Sequence, residues 1–308
     1  MVRETRRSNR KKSRFVRQWQ LYALLFLPLV YIVVFHYAPM GGAMIAFKDY
    51  SLRQGVWKSP WVGMKYFRSF FNTPDFMLLL RNTLALSLYG LFAGFPVPIL
   101  LALAIHEIYK RFFKRFVQMV VYIPYFISTV VVVGILMNMF AMRTGLINNL
   151  RESVGLQSVN FMGELGLFRS FYVWSGVWQS AGYNAIVYLA ALSATDNEQV
   201  EAAVIDGANR FQRMWHVDLP SIAPTVVILF ILAVGNIMSI GFEKVFLMQN
   251  PTNLDHSEII STFVYKKGLK SYQYSYSTAV GLFNSAINLM LISATNLISR
   301  RLTSTSLW

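Results

Sequence analysis

The chain has 308 residues, 55% of them hydrophobic and only 14% charged, with a formal net charge of +15 and no cysteine. Such a balance excludes an ordinary soluble domain, and the missing cysteine excludes disulfides, thiolate chemistry and cysteine-based metal sites. The positive charge does not indicate nucleic acid, because it clusters beside long apolar runs, where membrane topology and anionic lipid account for it.

Residues 1–20 form a basic tail holding Arg3, Arg6, Arg7, Arg10, Lys11, Lys12, Arg14 and Arg17. The tail and the apolar run behind it mimic a signal peptide. The run is longer than a signal-peptide core and no small-x-small cleavage site follows, so it is expected to remain as an anchor. A bilayer core is crossed by about 20 apolar residues. Six windows reach that length, at about 21–40, 76–105, 116–140, 168–194, 222–242 and 277–299, giving an all-α integral membrane protein with one transmembrane domain over 21–300. The loops at 41–75, 141–167 and 243–276 are too short for a separate outer domain. Residues 301–308 are a short tail.

Lys and Arg stay on the cytoplasmic side of membrane spans. The tail, Lys110, Arg111, Lys114, Arg115, Arg210, Arg213, Arg300 and Arg301 make 16 on one face, against the other 13 spread over the longer stretches elsewhere. Both termini and the loop 195–221 are therefore expected in the cytoplasm.

Pro28, Pro96, Pro98 and Pro124 fall inside apolar runs, where each removes a backbone donor and bends a helix, either as a fixed packing kink or as a gating hinge. The intramembrane polar set comprises Trp174, Trp178, Gln179, Tyr183 and Asn184 in the fourth span, Asn236 and Ser239 in the fifth, and Asn284, Ser285 and Asn288 in the sixth. Trp174–Trp178 and Asn284–Asn288 are four apart and share helix faces. Amides and aromatic faces suit the hydroxyls and C–H patches of a sugar, while interhelical hydrogen bonding and an interfacial aromatic belt are the competing roles. Arg81 is expected to snorkel outward or meet a loop carboxylate, and Glu243 beside Lys244 reads as an interfacial ion pair. The four histidines show no metal-ligand spacing. No phosphate loop, nucleophile elbow or zinc-protease motif occurs, so no catalytic residue, metal or bound cofactor is assigned.

The polar loop 195–221 carries its own start and stop signals. Thr195 with Glu198 fits a capping box, a short helix with Val200, Ala203 and Val204 on one face follows, and Gly207 can close it in a left-handed conformation. An amphipathic stretch from Phe211 to Val217 then leads into Leu219-Pro220, where the next long helix can begin. Such a stiff helix–turn–helix between spans suits docking.

Glu201-Ala202-Ala203, Asp206-Gly207, Val217 and Leu219-Pro220 closely resemble the EAA–G–I–LP signature of permease subunits of ATP-binding-cassette importers, with Val217 in place of the usual Ile. The sequence Trp61-Val62-Gly63-Met64-Lys65-Tyr66-Phe67 resembles a stretch before the second span of sugar-type permeases. Gly145 to Asn149, Ile259 to Tyr265 and Ser304 to Trp308 look like the same, maltose-permease-like group, in its oligosaccharide and polysaccharide-type branch. The resemblance implies a type I importer permease fold in the bacterial cell membrane, with Glu201, Ala202, Ala203, Asp206, Gly207, Leu219 and Pro220 contacting an ATPase. It also implies a second homologous permease, two cytoplasmic ATPase subunits that use ATP and Mg, and an extracytoplasmic solute-binding protein. An importer of an amino acid or oxyanion, a membrane enzyme of glycan or lipid assembly, and a non-transporting scaffold are the rivals.

The charge distribution predicts a labelling pattern in the cysteine-free background. A cysteine at Ser158 should react with an impermeant reagent from outside and one at Gln212 should not; the reverse pattern would invert the orientation.

Overall fold

The computed structural model describes residues 18–164, 166–303 and 306–307, and the basic residues Arg3 to Arg17, with Ser304, Thr305 and Trp308, lie outside them. The regular structure of the described residues is helical, apart from one isolated bridge between Lys48 and Trp61. That is what backbone donors and acceptors in hydrocarbon require, since only local pairing satisfies them there.

Three helical stretches are long and apolar enough to cross a bilayer: Trp19–Phe47, Phe76–His106 and Tyr274–Arg301. The first opens with α1 (Trp19–Ile32), which carries Pro28 without interruption, and every residue from Trp19 to Met40 is exposed. A short outer helix, α2 (Lys65–Phe71), precedes the second stretch, which comprises α3 (Phe76–Gly94) and α4 (Pro96–His106). Pro96 occupies the first turn of α4, where its missing N–H costs least.

The expected span over 116–140 is not one helix. Instead α5 (Arg111–Tyr122) runs through a tight turn at Ile123–Phe126, and α6 (Thr129–Met139) leaves at 96°. Pro124 marks the break, Ser128 caps α6 by accepting from the Val131 N–H, and the freed Ile127 carbonyl accepts a 3.0 Å hydrogen bond from Gln179. After α7 (Leu146–Ser153) comes α8 (Phe168–Leu192), 25 residues long, whose Trp178, Gln179, Ser180, Tyr183 and Asn184 place a polar patch in its middle.

The loop over 195–221 holds α9 (Asn197–Ile205) and α10 (Arg210–Arg213). A second bend, of 64°, separates Arg210–Ser221 from α11 (Ala223–Gly235). The fifth expected span, 222–242, therefore ends early: residues 236–241 form a turn, and α12 (Phe242–Met248) starts anew. The turn is held from the last long helix, α13 (Tyr274–Thr303), where Asn288 accepts from the Met238 N–H at 3.1 Å and donates to the Ser239 hydroxyl at 2.8 Å. Two π turns, Val33–Tyr37 and Met214–Asp218, each lie just before an X-Pro step, at Pro39 and Pro220. Widening the turn accommodates a residue that lacks N–H and crowds the carbonyl four positions back.

The core centres on α8. Ala185, Tyr188, Leu189 and Leu192 pack with Ile99, Ala102 and Leu103 of α4 and with Ile222 at the second bend. The approach to α5 is closer still: a Cβ on Gly182 would lie 1.9 Å from the Val121 carbonyl oxygen. Only glycine fits between two backbones at that separation. Gly182→Ala should force the helices apart at a cost of about 1–3 kcal/mol. A clear fall in the detergent melting temperature of the purified chain is the expected result, read by fluorescence-detected gel filtration.

Candidate translocation cavity and coupling loop

The loop over 195–221 builds from local rules. Asp196, not Thr195, is the N-cap of α9, its carboxylate accepting from the Glu198 N–H at 3.0 Å. The capping box expected at Thr195 and Glu198 is thus replaced by a simpler cap, because the Thr195 hydroxyl pairs with Ser221 at 2.8 Å and ties the two ends of the loop together. A reciprocal box does occur one helix later, between Asn209 and Gln212.

Gly207 terminates α9 at φ +79°. The Ala208 N–H reaches the Ala203 carbonyl at 2.9 Å and the Gly207 N–H that of Val204 at 3.1 Å, a Schellman closure that needs a residue without Cβ. Glu201, Ala202 and Asp206 are exposed, as are Val204 and Ile205; Ala203 is half-buried. Beyond the turn Phe211 and Trp215 are also largely exposed, whereas Leu219 packs on the core and Pro220 opens the short turn Leu219–Ser221. Apolar residues bared on a stiff, capped hairpin form a surface suited to a protein partner.

This hairpin is fastened to the bundle by a contact with no local sequence signal. Arg213, buried, forms an ion pair with Glu107 just after α4, its Nη2 donating to both carboxylate oxygens at 2.9 and 3.2 Å. Arg210 lies over the Tyr109 ring at 5.2 Å. Asp218 is buried nearby; burial pushes its carboxyl above the ordinary carboxylate range, with His106 and Arg213 pulling it down and Glu107 adding to the rise.

A cavity of about 490 Å³ lies between α3, α8 and α11. Ser87 and Gly90 of α3, Tyr172, Ser180, Tyr183 and Asn184 of α8, and Asn236 and Gly241 after α11 line it. Tyr183 stacks on Tyr125 with ring centroids 3.8 Å apart and planes 1° from parallel. Among the described residues nothing hydrogen-bonds the Asn184 amide, while Asn236 donates back to the Leu232 carbonyl at 3.0 Å.

Of the sequence-selected polar set, Tyr183, Asn184 and Asn236 converge on this cavity. The others are placed elsewhere. Gln179 is engaged at the Ile127 bend. Trp174 donates to the Tyr89 hydroxyl at 3.0 Å, and Trp178 is 55% exposed outside the cavity wall. Asn288 holds the 236–241 turn, and Asn284 donates to the Met238 carbonyl at 3.2 Å while lining a separate pocket with Tyr265 and Tyr274. The expected ion pair between Glu243 and Lys244 does not form: Glu243 is exposed, and Lys244 turns inward to donate to the Tyr172 carbonyl at 3.0 Å. Arg81 is exposed and in no ion pair among the described residues.

Apolar helices around a polar cleft, with a capped hairpin fastened to them, define a membrane permease. Residues 94–304 match the family of binding-protein-dependent transport system inner membrane components, and the chain belongs to that family. It is 45% identical to protein LplB of Bacillus subtilis, over 91% of this chain and 88% of that one. It is 43% identical to the polygalacturonan/rhamnogalacturonan transport system permease protein YteP of the same organism, over 94% and 90%. Its fold matches a crystal structure of a bacterial ABC transporter involved in import of the acidic polysaccharide alginate, at a TM-score of 0.87 and 37% identity, covering 96% of this chain and 99% of the other. The chain is the non-catalytic membrane component of an importer that works with a solute-binding protein.

Removing either partner of the Glu107–Arg213 pair strands the other charge, at about 3–5 kcal/mol for a buried pair. Arg213→Met is expected to loosen the hairpin without preventing insertion of the helices. Limited proteolysis of the purified chain should then cleave within residues 195–221 much faster than in the unaltered protein.

Proposed function

We propose that this chain forms half of the translocation path of an ATP-driven importer of oligosaccharides derived from polysaccharides. It pairs with a second, homologous permease, two cytoplasmic ATPase subunits and an extracytoplasmic sugar-binding protein. The observation that carries the reading is the cavity: a tyrosine stacked face to face, an unengaged amide at Asn184 and the Asn236 side chain meet in one cleft. A sugar presents C–H faces to the first and hydroxyls to the others. The relatives named for polysaccharide transport support the same class.

Six membrane crossings, at about 21–40, 76–105, 116–140, 168–194, 222–242 and 277–299, with both termini cytoplasmic, complete the proposal; α8 supplies the fourth. In this arrangement α9 is the coupling helix. Glu201, Ala202, Ala203 and Asp206 face the ATPase cleft, Gly207 lets α9 stop close to it, and Leu219-Pro220 anchors the return. ATP and Mg act only in the partner subunits.

Two variants separate the path from the coupling contact. Gly207→Pro cannot adopt φ +79° and should abolish stimulation of ATP hydrolysis by loaded binding protein while the complex still assembles. Asn184→Ala removes an amide that would pair a sugar hydroxyl, a loss of about 1–3 kcal/mol or roughly five- to 150-fold, and should slow uptake with basal hydrolysis intact. Normal stimulated hydrolysis in the Gly207→Pro complex would remove α9 from signal transmission, and full uptake by the Asn184→Ala complex would remove the cavity from the path.

A further inference from the structure

Lys244 is the feature that a neutral path does not need. It is only 8% exposed and sits on α12, just beyond Gly241 at the rim of the cavity. Its ammonium donates to the Tyr172 carbonyl at 3.0 Å and lies 5.0 Å from the centre of the Tyr172 ring. None of the ion pairs among the described residues includes it. An ammonium has three donors, and one is used.

Space has been left around that charge. A Cβ on Gly176 would stand 3.2 Å from the Lys244 nitrogen, so the helix opposite is bare where the ammonium lies. Lys244, Gly176, Gly90, Gly94, Tyr172 and Ser180 line a recess of about 190 Å³. Gly90, Gly94, Tyr172 and Ser180 also line the main cavity, so the two spaces adjoin. A buried, unpaired cation is costly, and satisfying one carbonyl would need only a neutral donor. A buried charge bordering a cavity can be met by a group that the cavity admits.

We propose that Lys244 is the counter-charge for a carboxylate on the permeant, which makes the transported class acidic oligosaccharides containing uronate units. This rests on the sugar reading above and narrows it. A single ammonium matches the single charge of a carboxylate and offers it the two remaining donors as charge-assisted hydrogen bonds. A phosphoryl group, with more charge and more acceptor oxygens, calls for a cluster of cations. Gly176 and the two glycines of α3 let the carboxylate reach the ammonium while the sugar ring stays in the wider space by Tyr183 and Asn184.

The test uses the whole importer with its binding protein in proteoliposomes. The probes are trisaccharides of galacturonate, mannuronate and guluronate, their methyl esters, and neutral galactose and mannose trisaccharides. At least one acidic trisaccharide should enter about tenfold faster than its ester. Lys244→Gln keeps a donor for the Tyr172 carbonyl and removes the charge. It should slow uptake of that acid by about tenfold or more while leaving ester uptake unchanged, and Lys244→Arg should restore the preference. Equal slowing of acid and ester in Lys244→Gln, with less complex recovered in detergent, would assign Lys244 to packing and overturn the proposal. Uptake of neutral trisaccharides alone would also overturn it while keeping the sugar importer. Uptake of no saccharide would reject the sugar reading itself.

Discussion

The backbone of α8 lies against the backbone of α5 at Gly182 and Val121, and the remaining architecture is arranged around that contact. In a bilayer, helices gain little from hiding apolar surface, so small residues that let backbones approach do the work of association. Ala181, Gly182 and Ala185 supply them within a stretch of five positions. Once α8 is fixed there, its other flanks meet α4 through Ala102 and Leu103, and α3 through Val173 and Val177. Its polar face is left to border the cavity. Its Gln179 also supplies the donor that the sharp break before α6 requires.

The same helix links the cavity to the hairpin. Arg213 of the hairpin pairs with Glu107, which follows directly on α4, and α4 packs along the C-terminal end of α8. The ion pair is a contact of low exposure in which one Arg213 nitrogen reaches both Glu107 oxygens. Ile222 at the 64° bend adds a second joint, since it is buried among Leu103, Tyr188 and Leu192 while α11 leaves toward the cavity. The hairpin therefore has two fixed attachments, and its stiffness comes from caps at Asp196 and Asn209 and the closure at Gly207.

Polar residues in the interior divide by whether their hydrogen bonds are spent. Asn82, Asn288 and Gln179 reach backbone groups that irregular segments leave open, at 255–258, 238 and 127. Each is therefore part of the frame. Asn184 and two of the three Lys244 donors are unspent and border adjoining spaces. A site for a hydroxylated solute is built from this second kind, because a group already paired within the protein gains nothing from a ligand.

Local patterning determined much of this. The apolar windows, the short polar loop between two of them, the left-handed stop at Gly207 and the EAA spacing were legible because each depends on neighbours within a few residues. So was the membrane class, since hydropathy is a property of composition. The tertiary structure alone decided which polar side chains share a cavity. Trp178 and Asn184 lie on the same helix, yet only Asn184 borders the space, because Gly182 fixes the rotation of α8. Asn284 and Asn288 have the spacing of a binding face but meet a turn created by the early end of α11. Arg213 and Glu107 stand 106 positions apart, and Lys244 reaches back 72 positions to Tyr172. Contacts of that separation leave no periodicity in the chain; they exist only once the helices have packed.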